Sequence, residues 1–271
     1  MLRCIDAAEG LRTLASNSIS LTVTSPPFDD LRQYGGHRFD FENIAEQLFR
    51  VTMPNGVVAW NIQEQIIDGS ESGTSSYQRL FFKQLGFSLY NTLVIESSGV
   101  HRGSLAGWRY GSAVRYVFVL VKGTKPRVFH QIRDVLNKSR KVNRTSKLVM
   151  RNQHGEIVVR KTPFRYSNRV WRARSNFWKI AGSPTDDQDA LQAAHGALMH
   201  ERLAEDLILS WSDKGDLVLD PLAGLGTTWK LATIQKRRFI GFEIVPEYCR
   251  IATERVRRAV AAATSNHVPV P

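Results

Sequence analysis

Two spacings of apolar residues alternate along the chain. Ser20 to Thr24 is a short run rich in β-branched residues that meets Pro26-Pro27, which cannot continue a ladder, so a strand followed by a turn is expected. Phe41, Ile44, Ala45, Leu48 and Phe49 fall near helical spacing, predicting a helix from Phe41 to Met53 that stops at Pro54-Asn55-Gly56. A strand over Val57 to Ile62, a helix from Ser75 to Leu85 ending at Gly86, and strands over Leu89 to Ile95 and Arg115 to Val121 follow. From Lys122 to Pro184 the periodicity is lost, and Gly182-Ser183-Pro184 reads as an exit linker. The rhythm then resumes: helix Leu198 to Trp211, strand Asp216 to Leu219, helix Thr227 to Ile234, strand Arg238 to Phe242, and a last amphipathic helix from Pro246 to Val260. Strands alternating with helices predict an α/β domain with a parallel sheet, divided by an insertion. The expected division is 1–121, an inserted segment 122–184, 185–262, and a tail 263–271.

Charge sharpens this division. The chain carries a net +12, but Lys122 to Lys179 holds 17 Lys and Arg against only Asp134 and Glu156, while the remainder has 20 basic and 23 acidic residues. Phe129, Phe164, Tyr166, Trp171, Phe177 and Trp178 are interleaved with that basic block. Cations that neutralise phosphates, mixed with rings that stack on bases, favour nucleic acid over a merely solvated face. Trp60, Trp108, Trp211 and Trp229 read instead as packing residues. Arg102, Arg109 and Tyr110, in a Gly-broken loop, are candidates to face DNA. With 42% hydrophobic residues, one substantial core is expected. No apolar run approaches the roughly 20 residues of a membrane span and no signal-peptide pattern opens the chain, so a cytoplasmic protein without membrane partners is expected. Cys4 and Cys249 are the only cysteines and lack zinc-ligand spacing; two reduced thiols and no metal are expected.

Two constellations carry chemistry. Thr24-Ser25-Pro26-Pro27-Phe28 follows a strand directly. A Ser-Pro-Pro turn at the carboxyl end of a parallel strand offers a hydroxyl and backbone carbonyls that local N–H groups cannot pair, which can hold an amino group by its hydrogens; Phe28 offers a stacking face. Asp220-Pro221-Leu222-Ala223-Gly224-Leu225-Gly226-Thr227-Thr228 is again strand, glycine turn, helix, with Thr227-Thr228 as expected caps. Glu243 ends the next strand, where an acid accepts hydrogen bonds from ribose hydroxyls. The full G-x-G-x-x-G and the P-loop Gly-Lys-Ser/Thr are absent, which disfavours dinucleotides and nucleoside triphosphates.

Ser-Pro-Pro-Phe followed by Asp-Pro-Leu-Ala-Gly-Leu-Gly-Thr-Thr and Phe-Ile-Gly-Phe-Glu resembles the beta group of the DNA amino-methyltransferases, in which the catalytic motif precedes the cofactor motif and target recognition lies between them. The resemblance implies a Rossmann-like, S-adenosyl-L-methionine-dependent methyltransferase fold with circularly permuted motif order and a basic target-recognition insertion. It implies catalytic roles for Ser25, Pro26, Pro27 and Phe28, and cofactor binding by Asp220, Pro221, Gly224, Gly226, Thr227 and the ribose-binding Glu243. Asp6, in Cys4-Ile5-Asp6-Ala7, resembles the acidic position near the cofactor adenine. His195-Gly196-Ala197-Leu198-Met199-His200-Glu201 resembles a segment that seats the methionine portion, departing from the family at Gly196, Met199 and His200; Leu222 and Leu225 also replace the commoner Phe and Ser of the cofactor loop. The implied partners are double-stranded DNA, a second copy in a homodimer, and a cognate restriction endonuclease. Ser-Pro-Pro is commoner among the family's N4-cytosine enzymes and Asp-Pro-Pro among its N6-adenine enzymes, so N4 of cytosine in a flipped-out base is the expected target. Three other readings stay open: a DNA-binding protein with an inactive methyltransferase fold, an RNA methyltransferase, and, against the basic block, an enzyme acting on a protein side-chain amide.

Overall fold

The structure, a computed structural model, describes residues 1–27, 39–101, 108, 110–137, 144–152, 154–164, 170–180 and 198–265. In chain order the elements are β1 (Leu2–Cys4), α1 (Ala7–Arg12), β2 (Ile19–Thr24), α2 (Phe41–Val51), β3 (Thr52–Ile62), β4 (Ile66–Ile67), β5 (Ser70–Glu71), α3 (Thr74–Gln84), β6 (Ser88–His101), β7 (Ser112–Val121), β8 (Val135–Leu136), β9 (Arg144–Arg151), β10 (Ile157–Phe164), β11 (Trp171–Arg172), β12 (Phe177–Ile180), α4 (Glu201–Trp211), β13 (Leu217–Asp220), α5 (Thr227–Ile234), β14 (Arg238–Glu243) and α6 (Pro246–Ser265). They fall into two compact units, Met1–His130 with Asn176–Pro271, and Gln131–Ser175. Among the described residues no helix is long and apolar enough to cross a membrane.

The first unit is built on an eight-stranded sheet in the order β1-β14-β13-β2-β3-β7-β6-β12. Every neighbouring pair is parallel except those made by β7, which runs antiparallel to both β3 and β6. All six residues of β2 are buried, as a central strand covered on both faces requires. The core beside it is aromatic: Phe41 and Trp60 pack edge-on against Phe82, with ring centroids 5.4 and 5.1 Å apart. The buried Trp60 Nε1 donates to Gln78 Oε1 at 2.7 Å.

Local chemistry sets the element ends. Helix α2 is capped by Asp40, which accepts from Asn43 N, and buries Ile44, Ala45, Leu48 and Val51 on one face. It stops at Val51, two residues before the sequence expectation, because Thr52 takes extended geometry while its hydroxyl returns to Leu48 O at 2.6 Å. Pro54-Asn55-Gly56 then lies within β3, not in a loop. Asn55 adopts φ 62°, its N–H donates to Lys122 O, and the register to β2 shifts between Ile19 and Leu21.

The second unit contains two two-stranded antiparallel pairs, β9 with β10 and β8 with β11. It is narrower than the segment 122–184 that charge marks out. Residues 122–130 stay with the first unit, where Lys122 Nζ donates to Asn17 Oδ1 and to the carbonyls of Phe49 and Thr52. Phe177–Ile180 forms β12, parallel to β6, and Trp178 is only 6% exposed. Trp178 is therefore a packing residue and is unavailable for base stacking. Trp108 shows the reverse, at 92% exposed where packing was expected. Trp60 and Trp211 are buried as expected, and Trp229 stacks on Phe239. The narrower unit keeps the basic character of the segment: residues 131–175 carry 13 Lys and Arg against Asp134 and Glu156.

Candidate active site

The two turns singled out by sequence follow adjacent strands. β13 and β2 pair in parallel, Val218 opposite Leu21 and Leu219 opposite Thr22, so the residues after Thr24 and after Asp220 leave the same edge of the sheet. From β2 the chain proceeds to β3 on one side; from β13 it proceeds to β14 on the other. That reversal of direction is the crevice where open α/β sheets bind ligands.

The turns are joined directly. Thr24 Oγ1 donates to Asp220 Oδ1 at 2.7 Å, a buried contact between the last residue of β2 and the last of β13. Leu222 N donates to the same oxygen at 3.1 Å. Burial pushes the Asp220 carboxyl up to about 6 from its ordinary 3.8, with repulsion from Glu243 adding to it and the hydrogen bonds from Thr24, Thr228 and Leu222 opposing it. Pro221 is buried beside it.

The loop that follows is held by its own amides. Ala223 N donates to Phe242 O at 2.8 Å and Gly226 N to Ala223 O at 2.8 Å. Gly224 and Gly226 adopt φ of 49° and 76°, and a Cβ at Gly226 would lie 2.9 Å from that of Ala252 in α6. Glycine is required there by both conformation and space. Gly226 is also the N-cap of α5, with no side-chain cap. This corrects the expectation that Thr227-Thr228 cap the helix: Thr228 Oγ1 donates instead to Val23 O at 3.2 Å, and the buried Thr227 Oγ1 has no partner among the described residues.

Glu243 closes this side. Gly224 N donates to its Oε2 at 2.8 Å and Val245 N to its Oε1 at 2.9 Å. Burial raises its carboxyl against those bonds. Asp6 lies at the same edge, since Cys4 pairs with Glu243 in the β1–β14 register. It caps α1, Oδ1 accepting from Ala8 N at 2.8 Å and Glu9 N at 3.1 Å.

Ser25 leaves β2 half-buried, with Pro26 buried and Pro27 half-buried beyond it. Asn61, from the end of β3, donates through Nδ2 to Ser25 Oγ at 3.2 Å. Phe28, His195, Arg102 and Arg109 lie outside the described residues; Tyr110 is fully exposed. Of the segment around His195, Met199 is buried and His200 caps α4 through Nδ1. Glu201 pairs with Lys230 of α5 at 2.9 Å and with Arg255 of α6 at 3.1 Å. Arg255 also donates to the Leu225 carbonyl between the two glycines. Glu201 and Arg255 thus clamp the loop from behind. Asn61 and Arg255 were not among the residues expected from sequence, and Thr24 entered only as the residue that opens the Ser-Pro-Pro segment, with no role of its own.

The arrangement fits a nucleoside-bearing ligand on the glycine loop, with Glu243 as hydroxyl acceptor and the orphaned Thr227 hydroxyl as a further polar contact, beside an amine-accepting turn. Comparison with known proteins identifies the family. A family model described as DNA methylase matches residues 19–254. The orphan methyltransferase M.BamHII of Bacillus amyloliquefaciens is 40% identical over 244 residues, 90% of each chain. The DNA adenine methyltransferase YhdJ of Escherichia coli K12 is 27% identical, covering 93% of this chain and 80% of that one. Among solved structures, PvuII DNA methyltransferase (cytosine-N4-specific) superposes with a TM-score of 0.65 at 18% identity, covering 97% of this chain and 91% of that one. The M1.HpyAVI–SAM complex gives 0.60 at 19% identity, covering 94% and 98%. The chain belongs to the N6/N4 DNA methylase family.

Proposed function

We propose that the protein transfers the methyl group of S-adenosyl-L-methionine to N4 of cytosine at specific sites in duplex DNA, by direct in-line attack of a flipped-out base. The observation that carries the reading is the Thr24–Asp220 bond, which ties an amine-accepting turn to a cofactor-type loop at one edge of the sheet. The serine at the head of that turn supports cytosine over adenine, in keeping with the usage of Ser-Pro-Pro in the family.

Glu243 would hold the ribose hydroxyls of the cofactor, with Gly224, Gly226 and Thr227 lining the loop beneath it, Asp220 and Pro221 anchoring that loop, and Asp6 near the adenine. The cofactor supplies a methyl group already activated on a sulfonium. What the chain must supply is orientation of the amine and electrostatic stabilisation. An exocyclic amine is a poor nucleophile because its lone pair is delocalised into the ring. The Ser25 hydroxyl and the Pro26 carbonyl accept its two hydrogens, draw the nitrogen toward tetrahedral geometry and stabilise the positive charge that develops. Phe28 stacks on the base, and Pro27 fixes the turn. A thiol route to carbon 5 of cytosine finds no support: Cys4 lies in β1 and Cys249 in α6, and neither follows a proline in a turn after β2. The 13 basic residues of 131–175 are suited to the phosphates of the duplex.

Nucleosides from DNA of cells expressing the protein, resolved by mass spectrometry, test this. 4-Methylcytosine is expected. 6-Methyladenine would overturn the choice of base and leave the amine chemistry standing, 5-methylcytosine would contradict the mechanism, and DNA without any methylated base would contradict the choice of DNA as substrate.

A further inference from the structure

Asn61 sits at the carboxyl end of β3, 0% exposed, and its two amide atoms are treated differently by the fold. Nδ2 donates to Ser25 Oγ at 3.2 Å; Oδ1 is buried with no hydrogen-bond partner among the described residues. A buried carbonyl oxygen left unpaired is costly, and one that persists beside a reacting group marks a place for a substrate atom. A hydroxyl oxygen has two acceptor sites. The Asn61 N–H occupies one of those on Ser25, which leaves the hydroxyl a weaker acceptor than it would be alone.

We infer that Asn61 is a further catalytic residue, whose Oδ1 shares with Ser25 Oγ one hydrogen of the target amine in a three-centre hydrogen bond, while Pro26 O takes the other. This rests on the amine-transfer reading above. Oδ1 shares its carbon with the Nδ2 that holds Ser25 Oγ, so the same amide brings an unpaired acceptor to the neighbourhood of the hydroxyl. The amide thereby does two jobs: its N–H fixes Ser25 and its carbonyl supplies the acceptor strength that a half-engaged serine lacks. As positive charge grows on the amine nitrogen, an oriented carbonyl dipole in a site shielded from water stabilises it without reorganising.

The test uses Asn61→Ala, which removes both functions, and Asn61→Asp, which keeps an acceptor and loses the donor to Ser25. Single-turnover methyl transfer to duplex DNA is measured with tritiated S-adenosylmethionine, and cofactor affinity by calorimetry. The expected result is about a 100-fold fall in rate for Asn61→Ala, at least a tenth of wild-type rate for Asn61→Asp, and cofactor affinity within about twofold in both. Transfer by Asn61→Ala at the wild-type rate overturns the inference, as does an equal loss of cofactor affinity, which a scaffold role predicts. Asn61→Asp falling as far as Asn61→Ala also overturns it. If the unaltered protein transfers methyl to no DNA, the functional reading fails first and this inference with it; if only the variants behave like wild type, this inference alone fails.

Discussion

Replacing Asp220 with Asn should stabilise the cofactor-free protein near neutral pH. The Asp220 carboxyl is buried between β13 and β2, and burial raises it to about 6 from 3.8. A carboxyl raised on folding binds its proton more tightly in the native than in the unfolded chain. Its contribution to stability is therefore fully present below about pH 3.8 and is lost as pH rises through about 6. The upward shift of roughly two units corresponds to about 3 kcal/mol lost by pH 7 and above, when the side chain is ionised. Asn keeps an oxygen to accept from Thr24 and Leu222 but carries no charge, so Asp220→Asn should gain about 1–3 kcal/mol at pH 7.5, the lower figure allowing for an amide N–H left short of a partner. The gain should shrink toward zero near pH 4. Urea unfolding of the cofactor-free protein, followed by tryptophan fluorescence at pH 7.5 and pH 4.5, reads this directly. A variant less stable at pH 7.5, or one whose gain is the same at both pH values, would refute the assignment of a strained buried carboxylate.

Three further outcomes follow from the same geometry. Gly226→Ala places a Cβ 2.9 Å from that of Ala252 at φ 76°, so it should cost about 1–3 kcal/mol in urea unfolding and weaken cofactor binding in calorimetry. Arg255→Met leaves the Leu225 carbonyl without its side-chain donor while Glu201 keeps Lys230, and should cost about 1–3 kcal/mol, again measured by urea unfolding. Arg133→Ala with Arg172→Ala, both exposed in the second unit, should lower duplex affinity and reduce the slope of log affinity against log salt by about 2, with cofactor affinity unchanged.

Much of this site is legible in the sequence because its backbone needs residues with few alternatives. Pro26-Pro27 has no N–H with which to continue a ladder past β2, and only glycine fits at Gly226, so both strand ends stand out from any one sequence. The side chains that join them do not. Asn61 reads as an ordinary strand position and Thr24 only as the residue before the Ser-Pro-Pro segment, and their roles come from the parallel neighbours that the sheet order places beside them. Arg255 reads as a solvated residue of an amphipathic helix, whereas its guanidinium is buried against the cofactor loop. Strand β1 and helix α1 were missed because three and six residues are too short to show a period. Trp108 and Trp178 were misassigned for a related reason: tertiary pairing, of β12 with β6 in the case of Trp178, decides exposure, and composition does not report it.

The central claim is that an amine gripped at Ser25 and a methyl donor held at Gly224 to Gly226 meet across the β2–β13 edge. A crystal structure with recognised duplex DNA and sinefungin, an unreactive analogue of the cofactor, tests it most directly. The account predicts an exocyclic base nitrogen roughly 3–3.5 Å from the analogue's amine, hydrogen-bonded to Ser25 Oγ and Pro26 O, with the ribose on Glu243. An analogue bound away from the Gly224 loop, or a base whose amine faces neither Ser25 nor the analogue, would contradict it.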